Sequence, residues 1–189
     1  MLNRRDVVRG LLDNRRGWLV VSGLGSPTWD VAAAGDDEGN FYLWGAMGGA
    51  VMVGLGIALA QPDRRVVVIT GEGEMLMGLG SLATIALRAP ANLAVVVLDN
   101  GHYGETGMQE SHTARSTDLE VVARGCGIGR TLNITDEEGL RLLDTALMHA
   151  ATTVFARVRI GVGNEARVLP MRDGVALKLR FRQLLGVTE

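Results

Sequence analysis

Two short polar segments stand directly after the most apolar stretches of the chain. Glu72 lies between two glycines after the run at 66–70, and Asn100 follows the run at 92–99. A carboxylate and an amide oxygen are ligands that suit Mg²⁺ or Ca²⁺ better than Zn²⁺. A helix that begins near Glu74 would point its N-terminal amides at the same place, which favours a phosphate. The spacing therefore favours a divalent cation that bridges protein oxygens to a diphosphate. The alternative for Glu72 taken alone is a surface turn.

Alternating apolar and amphipathic segments must position these residues. The runs at 66–70 and 92–99 are apolar on both faces, which is typical of buried strands in a parallel sheet. Further strands are expected at 18–22, 41–43, 127–132 and 154–160. Helices are expected at 6–14 (with residue 3 as the alternative start), 28–34, 47–60, 74–86, 119–126 and 135–150, with a helix or strand at 175–185. Thr135 and Glu138 predict a capping box at the start of the helix at 135–150.

This alternation of strands and helices predicts one domain over residues 1–189 with an α/β fold. The expected architecture is a three-layer, doubly wound parallel sheet with helices on both faces. In such sheets the ligand lies beyond the carboxyl ends of the strands. The two polar segments occupy that position, and they meet if their strands are near neighbours.

The amino-acid composition and net charge argue against some classes of binding partner. The chain has 189 residues, of which 47% are hydrophobic, and a net charge of −2 from 19 basic and 21 acidic residues. A packed core is expected, and the charge balance argues against nucleic acid or a membrane as a partner. The apolar run at 46–60 is shorter than the roughly 20 residues of a membrane span, and no signal peptide is expected. Cys126 is the single cysteine, so a cytoplasmic location is expected. Solvated positions are expected for four arginines: Arg4, Arg5, Arg15 and Arg16.

A resemblance to a known family covers roughly residues 15–185. Gly71-Glu72-Gly73 followed by Asn100 resembles the motif of thiamine diphosphate-dependent enzymes, and it marks the diphosphate-binding domain. The chain is most similar to one branch of that family, the sulfopyruvate and phosphonopyruvate decarboxylases. Further segments that carry the resemblance are 20–27, 40–42, 45–48, 54–60 and 98–109. The resemblance implies the thiamine diphosphate-binding fold, with thiamine diphosphate and Mg²⁺ as cofactors.

The resemblance also implies roles for individual residues. The metal ligands would be the Glu72 carboxylate, the Asn100 side-chain oxygen and the backbone carbonyl of His102. The cofactor would also contact the motif glycines and the residues around them: Gly45, Met47, Gly71, Gly73, Glu74, Tyr103 and Gly104. Within that set, Gly45 and Met47 would hold the aminopyrimidine ring, with Met47 as the apolar wedge under the bent cofactor. Two positions depart from the family pattern, because Glu72 replaces an aspartate and Glu74 replaces a small residue.

The implied activity needs a second chain. The family takes its activating glutamate from a pyrimidine-binding domain, for which this chain has no room, so the resemblance implies the β subunit of a two-subunit 2-oxo acid decarboxylase. The partner would be the pyrimidine-binding α subunit, and the products CO₂ and an aldehyde. The helix at 47–60 is apolar nearly all round, so burial and contacts in a homo- or hetero-oligomer are expected. The alternatives are a non-catalytic or regulatory homologue that kept the fold for assembly, and an unrelated nucleotide-binding α/β domain.

No catalytic side chain of this chain is assigned by the sequence. His112 is a candidate to face the substrate as an acid or an anion contact. The alternative is an ordinary polar loop residue. Cys126 is expected to be a small packed residue rather than a nucleophile, because no basic partner is evident.

Overall fold

The computed structural model describes residues 1–13, 15, 17–163 and 165–187. Its centre is a six-stranded sheet in the order β2-β1-β3-β4-β8-β7, and every strand pair in it is parallel. These strands are β1 (Leu19–Ser22), β2 (Asn40–Tyr42), β3 (Val66–Gly71), β4 (Leu93–Asp99), β7 (Arg130–Ile134) and β8 (Val154–Arg159). A separate antiparallel hairpin consists of β5 (His102–Tyr103) and β6 (Gln109–Glu110). The predicted α/β fold with a parallel sheet is confirmed.

Helices cover both faces of the sheet. They are α1 (Arg4–Asp13), α2 (Ser26–Ala33), α3 (Ala50–Ala60), α4 (Glu72–Met77), α5 (Ser81–Arg88), α6 (Leu119–Gly125), α7 (Glu137–His149) and α8 (Gly174–Leu184). One core lies under α1, α2 and α7, and the other under α3, α5 and α6. Because side chains alternate along a strand, Val96 of β4 faces the first core and Val97 faces the second.

The segment before α3 differs from the prediction. The helix begins at Ala50 rather than at Met47. Ala46 and Gly48 adopt positive φ angles of 52° and 91°, which a right-handed helix does not accommodate. Met47 therefore lies on an exposed turn between β2 and α3.

The packing of α3 depends on a glycine. A β-carbon on Gly54 would lie 2.2 Å from Cγ2 of Val68, so only glycine lets the helix approach β3 this closely. The opposite side of α3 is open, with Met52 42% and Leu59 43% exposed. The prediction that this helix is buried all round is wrong for the single chain.

The predicted helix at 74–86 is two helices, α4 and α5. The break falls at Gly78, where a β-carbon would lie 2.3 Å from the carbonyl oxygen of Gly48. The turn before α3 therefore presses against the chain at this point. The tertiary contact separates the two helices.

Two further boundaries differ by a few residues. The strand expected at 127–132 is β7, which begins at Arg130. The predicted capping box of Thr135 and Glu138 is wrong, because Asp136 caps α7 by accepting a hydrogen bond from the Gly139 amide at 2.9 Å. Aspartate is at least as good an N-cap as threonine, so the helix starts one residue later.

Three of the arginines that were expected to be solvated are not, and one of them is Arg5, which is 20% exposed and pairs with Asp30. Arg4 is buried, with its Nε 3.2 Å from Oδ2 of Asp30. Arg15 is partly buried and donates a hydrogen bond to the Asn40 side chain at 2.7 Å. Asn14, at the end of the predicted helix at 6–14, and Arg16 lie outside the described residues.

Strand order determines where a ligand can bind. The chain moves from β1 to β2 on one side, and then crosses to β3 and β4 on the other side of β1. The loops after β1 and β3 therefore flank the crevice at which the strand order reverses, which is the usual ligand position in open α/β sheets. Among the described residues, no helix combines the length and apolar character that crossing a membrane requires.

Candidate functional site

A cavity of about 130 Å³ lies at the carboxyl ends of the central strands. Its lining includes every predicted cofactor-binding residue except Gly45: Met47, Gly71, Glu72, Gly73, Glu74, Asn100, His102, Tyr103 and Gly104. Gly45 is exposed on the turn after β2 and does not line the cavity. The loops after β3 and β4 therefore meet in space, as the sequence predicted.

Glu72 lies at the first position of α4 and is only 4% exposed. Its Oε1 is buried and has no hydrogen-bond partner among the described residues. Burial first, and the nearby Asp99 carboxylate second, raise the pKa of Glu72 to about 7, although hydrogen bonding to Ser111 and to the His102 amide partly opposes the rise. A buried carboxylate oxygen without a partner is costly, so the site fits a cation that would satisfy it.

The other two predicted metal ligands form a tight turn after β4. The Asn100 side-chain oxygen accepts a hydrogen bond from the His102 amide at 2.8 Å, and the His102 carbonyl accepts one from the Gly104 amide at 3.1 Å. Each oxygen keeps a second lone pair for another partner. Gly101 has a φ of 72°, a left-handed conformation that favours glycine. With Glu72, these residues form an oxygen-rich set of the kind Mg²⁺ prefers.

A buried cluster around Asp99 holds this turn in place. Asp99 accepts hydrogen bonds from the Gly101 amide at 2.9 Å, the Thr113 hydroxyl at 2.7 Å and Arg157 Nε at 2.6 Å, and it also pairs with Arg159 at 3.2 Å. Sequence reasoning assigned no role to this cluster. The available signal was the presence of two arginines in the otherwise apolar β8, since charged residues rarely lie in a core strand without a partner.

The side chain of Glu74 is turned into the fold. Its carboxylate accepts hydrogen bonds from the Thr70 hydroxyl at 2.8 Å and the Leu24 amide at 3.1 Å. The amides of Gly48 and Ala50, at the start of α3, donate to it at 3.3 Å each. Glu74 thereby provides an acceptor for two backbone amides at the N-terminus of α3. Its charge is taken up by these four donors, while its own amide remains at the N-terminus of α4.

An aromatic and an apolar side chain enclose Gly73. A β-carbon on Gly73 would lie 3.1 Å from Cδ1 of Tyr103 and 3.8 Å from Cε of Met47, so glycine leaves this space free. Met47 is 45% exposed at the cavity. The Tyr103 hydroxyl is 2.8 Å from Nδ1 of His112. His112 is exposed and does not line the cavity, and among the described residues its side chain is connected to the site through Tyr103.

Other residues of the cavity were missed by sequence reasoning. The loop after β1 contributes Leu24, the start of α2 contributes Ser26 and Pro27, and the first turn of α1 contributes Arg4. The glycine-rich turn that follows β1 was a usable signal for the loop, because glycine often marks close approach of backbone to a ligand. No local pattern indicated Arg4.

The rest of the described surface is less suited to the binding of a metal ion. A larger groove of about 800 Å³ lies between α1 and α7 and contains none of the predicted site residues. Among the described residues, no group of three or more His, Cys, Asp or Glu side chains has a geometry that could hold a metal ion. The candidate metal set is therefore one carboxylate together with amide and backbone oxygens.

Comparison with known proteins identifies the family. Residues 31–156 match the family described as thiamine pyrophosphate enzyme, C-terminal TPP binding domain. The chain belongs to this family. The match spans the strands β2, β3 and β4 and the two loops that line the cavity. The predicted resemblance to thiamine diphosphate-dependent enzymes is thereby confirmed.

Within the thiamine pyrophosphate enzyme family, the chain is similar to proteins named as two kinds of decarboxylase. A protein of Methanocaldococcus jannaschii named sulfopyruvate decarboxylase subunit beta is 36% identical, over 96% of both chains. Sulfopyruvate decarboxylase of Methanosarcina acetivorans is also 36% identical, but the match spans 47% of that longer protein. Phosphonopyruvate decarboxylase of Streptomyces hygroscopicus is 47% identical over 57% of this chain and 26% of its own length.

A solved structure shares the fold. It is described as a thiamin diphosphate-dependent enzyme from Mycobacterium smegmatis, and it superposes with a TM-score of 0.72 at 25% sequence identity. The match covers 85% of this chain and 32% of that chain. This chain therefore matches about a third of the length of that longer protein.

Proposed function

We propose that this chain is the thiamine diphosphate-binding β subunit of a two-subunit 2-oxo acid decarboxylase that releases CO₂ and an aldehyde. The substrate would be of the sulfopyruvate or phosphonopyruvate type. The observation that carries the proposal is the buried Glu72, whose Oε1 has no partner among the described residues in a cavity shared with Asn100 and His102. Similarity over nearly the full chain to proteins named sulfopyruvate decarboxylase subunit beta supports the same conclusion.

The metal site in this proposal consists of Glu72, Asn100 and His102. The Glu72 carboxylate and the Asn100 amide oxygen each offer a side-chain ligand to Mg²⁺, and His102 offers its carbonyl. Mg²⁺ usually retains water or substrate phosphate as its other ligands, which leaves room for a diphosphate. When bound, thiamine diphosphate supplies the carbanion that adds to the ketone of the 2-oxo acid and accepts the electron pair left by CO₂.

The diphosphate would lie against the N-terminus of α4. Within the described part of the chain the amides of Gly73 and Glu74 are open to a ligand there, because the first turn of a helix has no intrahelical acceptors for them. The Glu74 carboxylate does not oppose the phosphates strongly, since its hydrogen-bond donors lie in β3 and in the loops before α2 and α3. Met47 would support the bent cofactor from the open side of the cavity.

A partner subunit would complete the active site. The activating glutamate is expected on a pyrimidine-binding α subunit. Large apolar side chains remain exposed on and near α3 and α4: Met47, Met52, Leu59 and Met77. Exposed apolar groups around a binding site are typical of interaction surfaces, which supports assembly into an oligomer. A cytoplasmic location is part of the proposal and is compatible with the single cysteine.

The test is an assay of the complex purified with its α subunit. CO₂ release from sulfopyruvate, phosphonopyruvate and pyruvate is measured with Mg²⁺ and thiamine diphosphate, and again after chelation of the metal. We expect metal-dependent turnover of at least one of the two acids that carry a second anionic group. A complex that binds no cofactor at millimolar concentration would overturn the proposal.

One observation favours a second candidate, a non-catalytic homologue. Glu72 is one methylene longer than the aspartate usual in the family, and Mg²⁺ tolerates poor geometry badly. The variant Glu72→Asp distinguishes the decarboxylase from the non-catalytic homologue. Cofactor binding that appears only in this variant would indicate a subunit that kept the fold for assembly, whereas binding by the natural chain supports the decarboxylase.

A further inference from the structure

An arginine with unused hydrogen-bonding capacity lines the candidate cofactor cavity. Arg4, in the first turn of α1, is only 7% exposed. Its Nε lies 3.2 Å from Oδ2 of Asp30, but the two atoms do not form a well-aligned hydrogen bond. Among the described residues, no group accepts a hydrogen bond from Arg4. A guanidinium has five N–H donors, so most of its donor capacity is left for a ligand.

The neighbouring Arg5 provides an internal comparison. Its Nε is also 3.2 Å from Asp30, at Oδ1, and its Nη2 donates a hydrogen bond to the Ala166 carbonyl at 2.6 Å. Arg5 does not line the cavity. Two arginines therefore share the one buried carboxylate of Asp30. The arginine that keeps free donors is the one at the cavity.

Two further acidic residues, Glu105 and Glu165, border the same region as Arg4. Glu105 pairs with Arg167 at 3.0 Å and accepts a hydrogen bond from the indole of Trp29 at 3.3 Å. Glu165 accepts a hydrogen bond from the Asn3 side chain at 2.7 Å. These groups border a small polar hollow of about 150 Å³ that shares Arg4 with the cavity. No carboxylate in this set reaches the guanidinium of Arg4.

From this arrangement we infer that Arg4 is an anion-binding residue of the cavity. Its ligand is an oxyanion, either the terminal phosphate of the cofactor or the sulfonate or phosphonate group of the substrate. The planar guanidinium matches both kinds of group through paired hydrogen bonds. Asp30 holds the side chain in place from behind. The inference rests on the proposed function for the identity of the ligand.

The experiment compares Arg4→Gln with Arg5→Gln in the purified complex. Both changes remove one of the two arginines that pair with Asp30, and Arg5→Gln also removes the hydrogen bond to the Ala166 carbonyl, so it is the more demanding control for structural damage. Three quantities are measured for each variant: the Kd of thiamine diphosphate with Mg²⁺, the Kd of inorganic pyrophosphate with Mg²⁺, and the ratio of KM for sulfopyruvate to KM for pyruvate. Arg4→Lys keeps the charge without the planar fork, and serves as the test if Arg4→Gln is insoluble.

The two sources of the anion give different results. If Arg4 binds the cofactor phosphate, Arg4→Gln raises both Kd values by about tenfold or more. If it binds the substrate, the Kd values are unchanged and the KM ratio rises by about tenfold. In either case Arg4→Lys gives a smaller change in the same quantity, and Arg5→Gln stays within about twofold of the natural protein.

Failure of the inference is distinguishable from failure of the proposed function. If Arg4→Gln changes none of the three quantities more than Arg5→Gln does, or Arg4→Lys alone matches the natural protein in all three, the inference is overturned and the proposed function stands. If the natural protein binds pyrophosphate through Arg4 but binds no thiamine diphosphate, the proposed function is overturned and the inference stands. A natural protein that binds neither compound overturns both.

Discussion

The Glu74 carboxylate, in the first turn of α4, accepts a hydrogen bond at 2.8 Å from the hydroxyl of Thr70, near the end of β3. The same carboxylate receives amide hydrogen bonds from Leu24, Gly48 and Ala50. One side chain therefore joins the end of β3 to the loop after β1 and to the turn that carries Met47. All of these segments contribute to the candidate cofactor cavity.

Replacement of Glu74 should loosen the cavity. In Glu74→Ala, four donors lose their acceptor, and we expect the free energy of unfolding to fall by about 2–4 kcal/mol. The Kd of thiamine diphosphate should rise because the segments that contact it are no longer joined. Urea denaturation and calorimetry measure the two effects. Glu38→Ala, at an exposed glutamate, should change stability by no more than about 0.5 kcal/mol. Equal effects of the two variants would contradict the role of Glu74.

Gly23 and Glu74 should show strong energetic coupling. A β-carbon on Gly23 would lie 1.8 Å from Oε2 of Glu74 and 2.7 Å from Oγ1 of Thr70. We expect Gly23→Ala to cost about 1–3 kcal/mol in the natural protein, as overpacking does. In the Glu74→Ala background the added cost should be smaller by about 1 kcal/mol or more, because the clashing carboxylate is gone.

A double-mutant cycle of unfolding free energies measures this coupling. Gly10→Ala is the matched control, because a β-carbon there meets nothing within 4 Å and alanine favours the helix. Strictly additive effects of Gly23→Ala and Glu74→Ala would show that the two residues do not compete for the same space.

The variant Glu72→Gln should be more stable than the natural protein without metal, but should lose its response to Mg²⁺ and thiamine diphosphate. The natural carboxylate is buried near Asp99 with one oxygen that has no partner among the described residues, and removal of its charge relieves this cost. We expect the metal-free protein to gain about 1 kcal/mol, and to lose stabilisation by Mg²⁺ and thiamine diphosphate. Thermal unfolding with and without both compounds tests this. Metal-dependent stabilisation equal to that of the natural chain would exclude Glu72 as a ligand.

Asp99 should be far more important to stability than Asp118, although both pair with Arg157. Asp99 is fully buried and contacts Arg157 at 2.6 Å, whereas Asp118 is 40% exposed and contacts it at 2.8 Å. Asp99→Asn should cost about 3–5 kcal/mol because it leaves a buried arginine without its main counter-charge. Asp118→Asn should cost about 1 kcal/mol or less, since asparagine still caps α6. Urea denaturation compares the two, and a reversed order would contradict the assignment.

The sequence by itself determined the strands of the central sheet and the position of the site along the chain, but not the β5–β6 hairpin. The runs at 66–70 and 92–99 are apolar on both faces, and this local pattern permits little besides buried strands. The polar residues that follow them, Glu72 and Asn100, could therefore be assigned to one edge of a parallel sheet. The glycines beside them marked the turns, because their effect on the backbone is local.

Only the tertiary structure decided what the polar side chains contact. Glu74 faces donors on three other segments, and Arg4 is buried beside Asp30 although its local sequence is that of a solvated helix end. The break between α4 and α5 likewise depends on Gly48, far away along the chain. Such contacts depend on strand order and on the packing of distant elements, and local propensity contains no information on either.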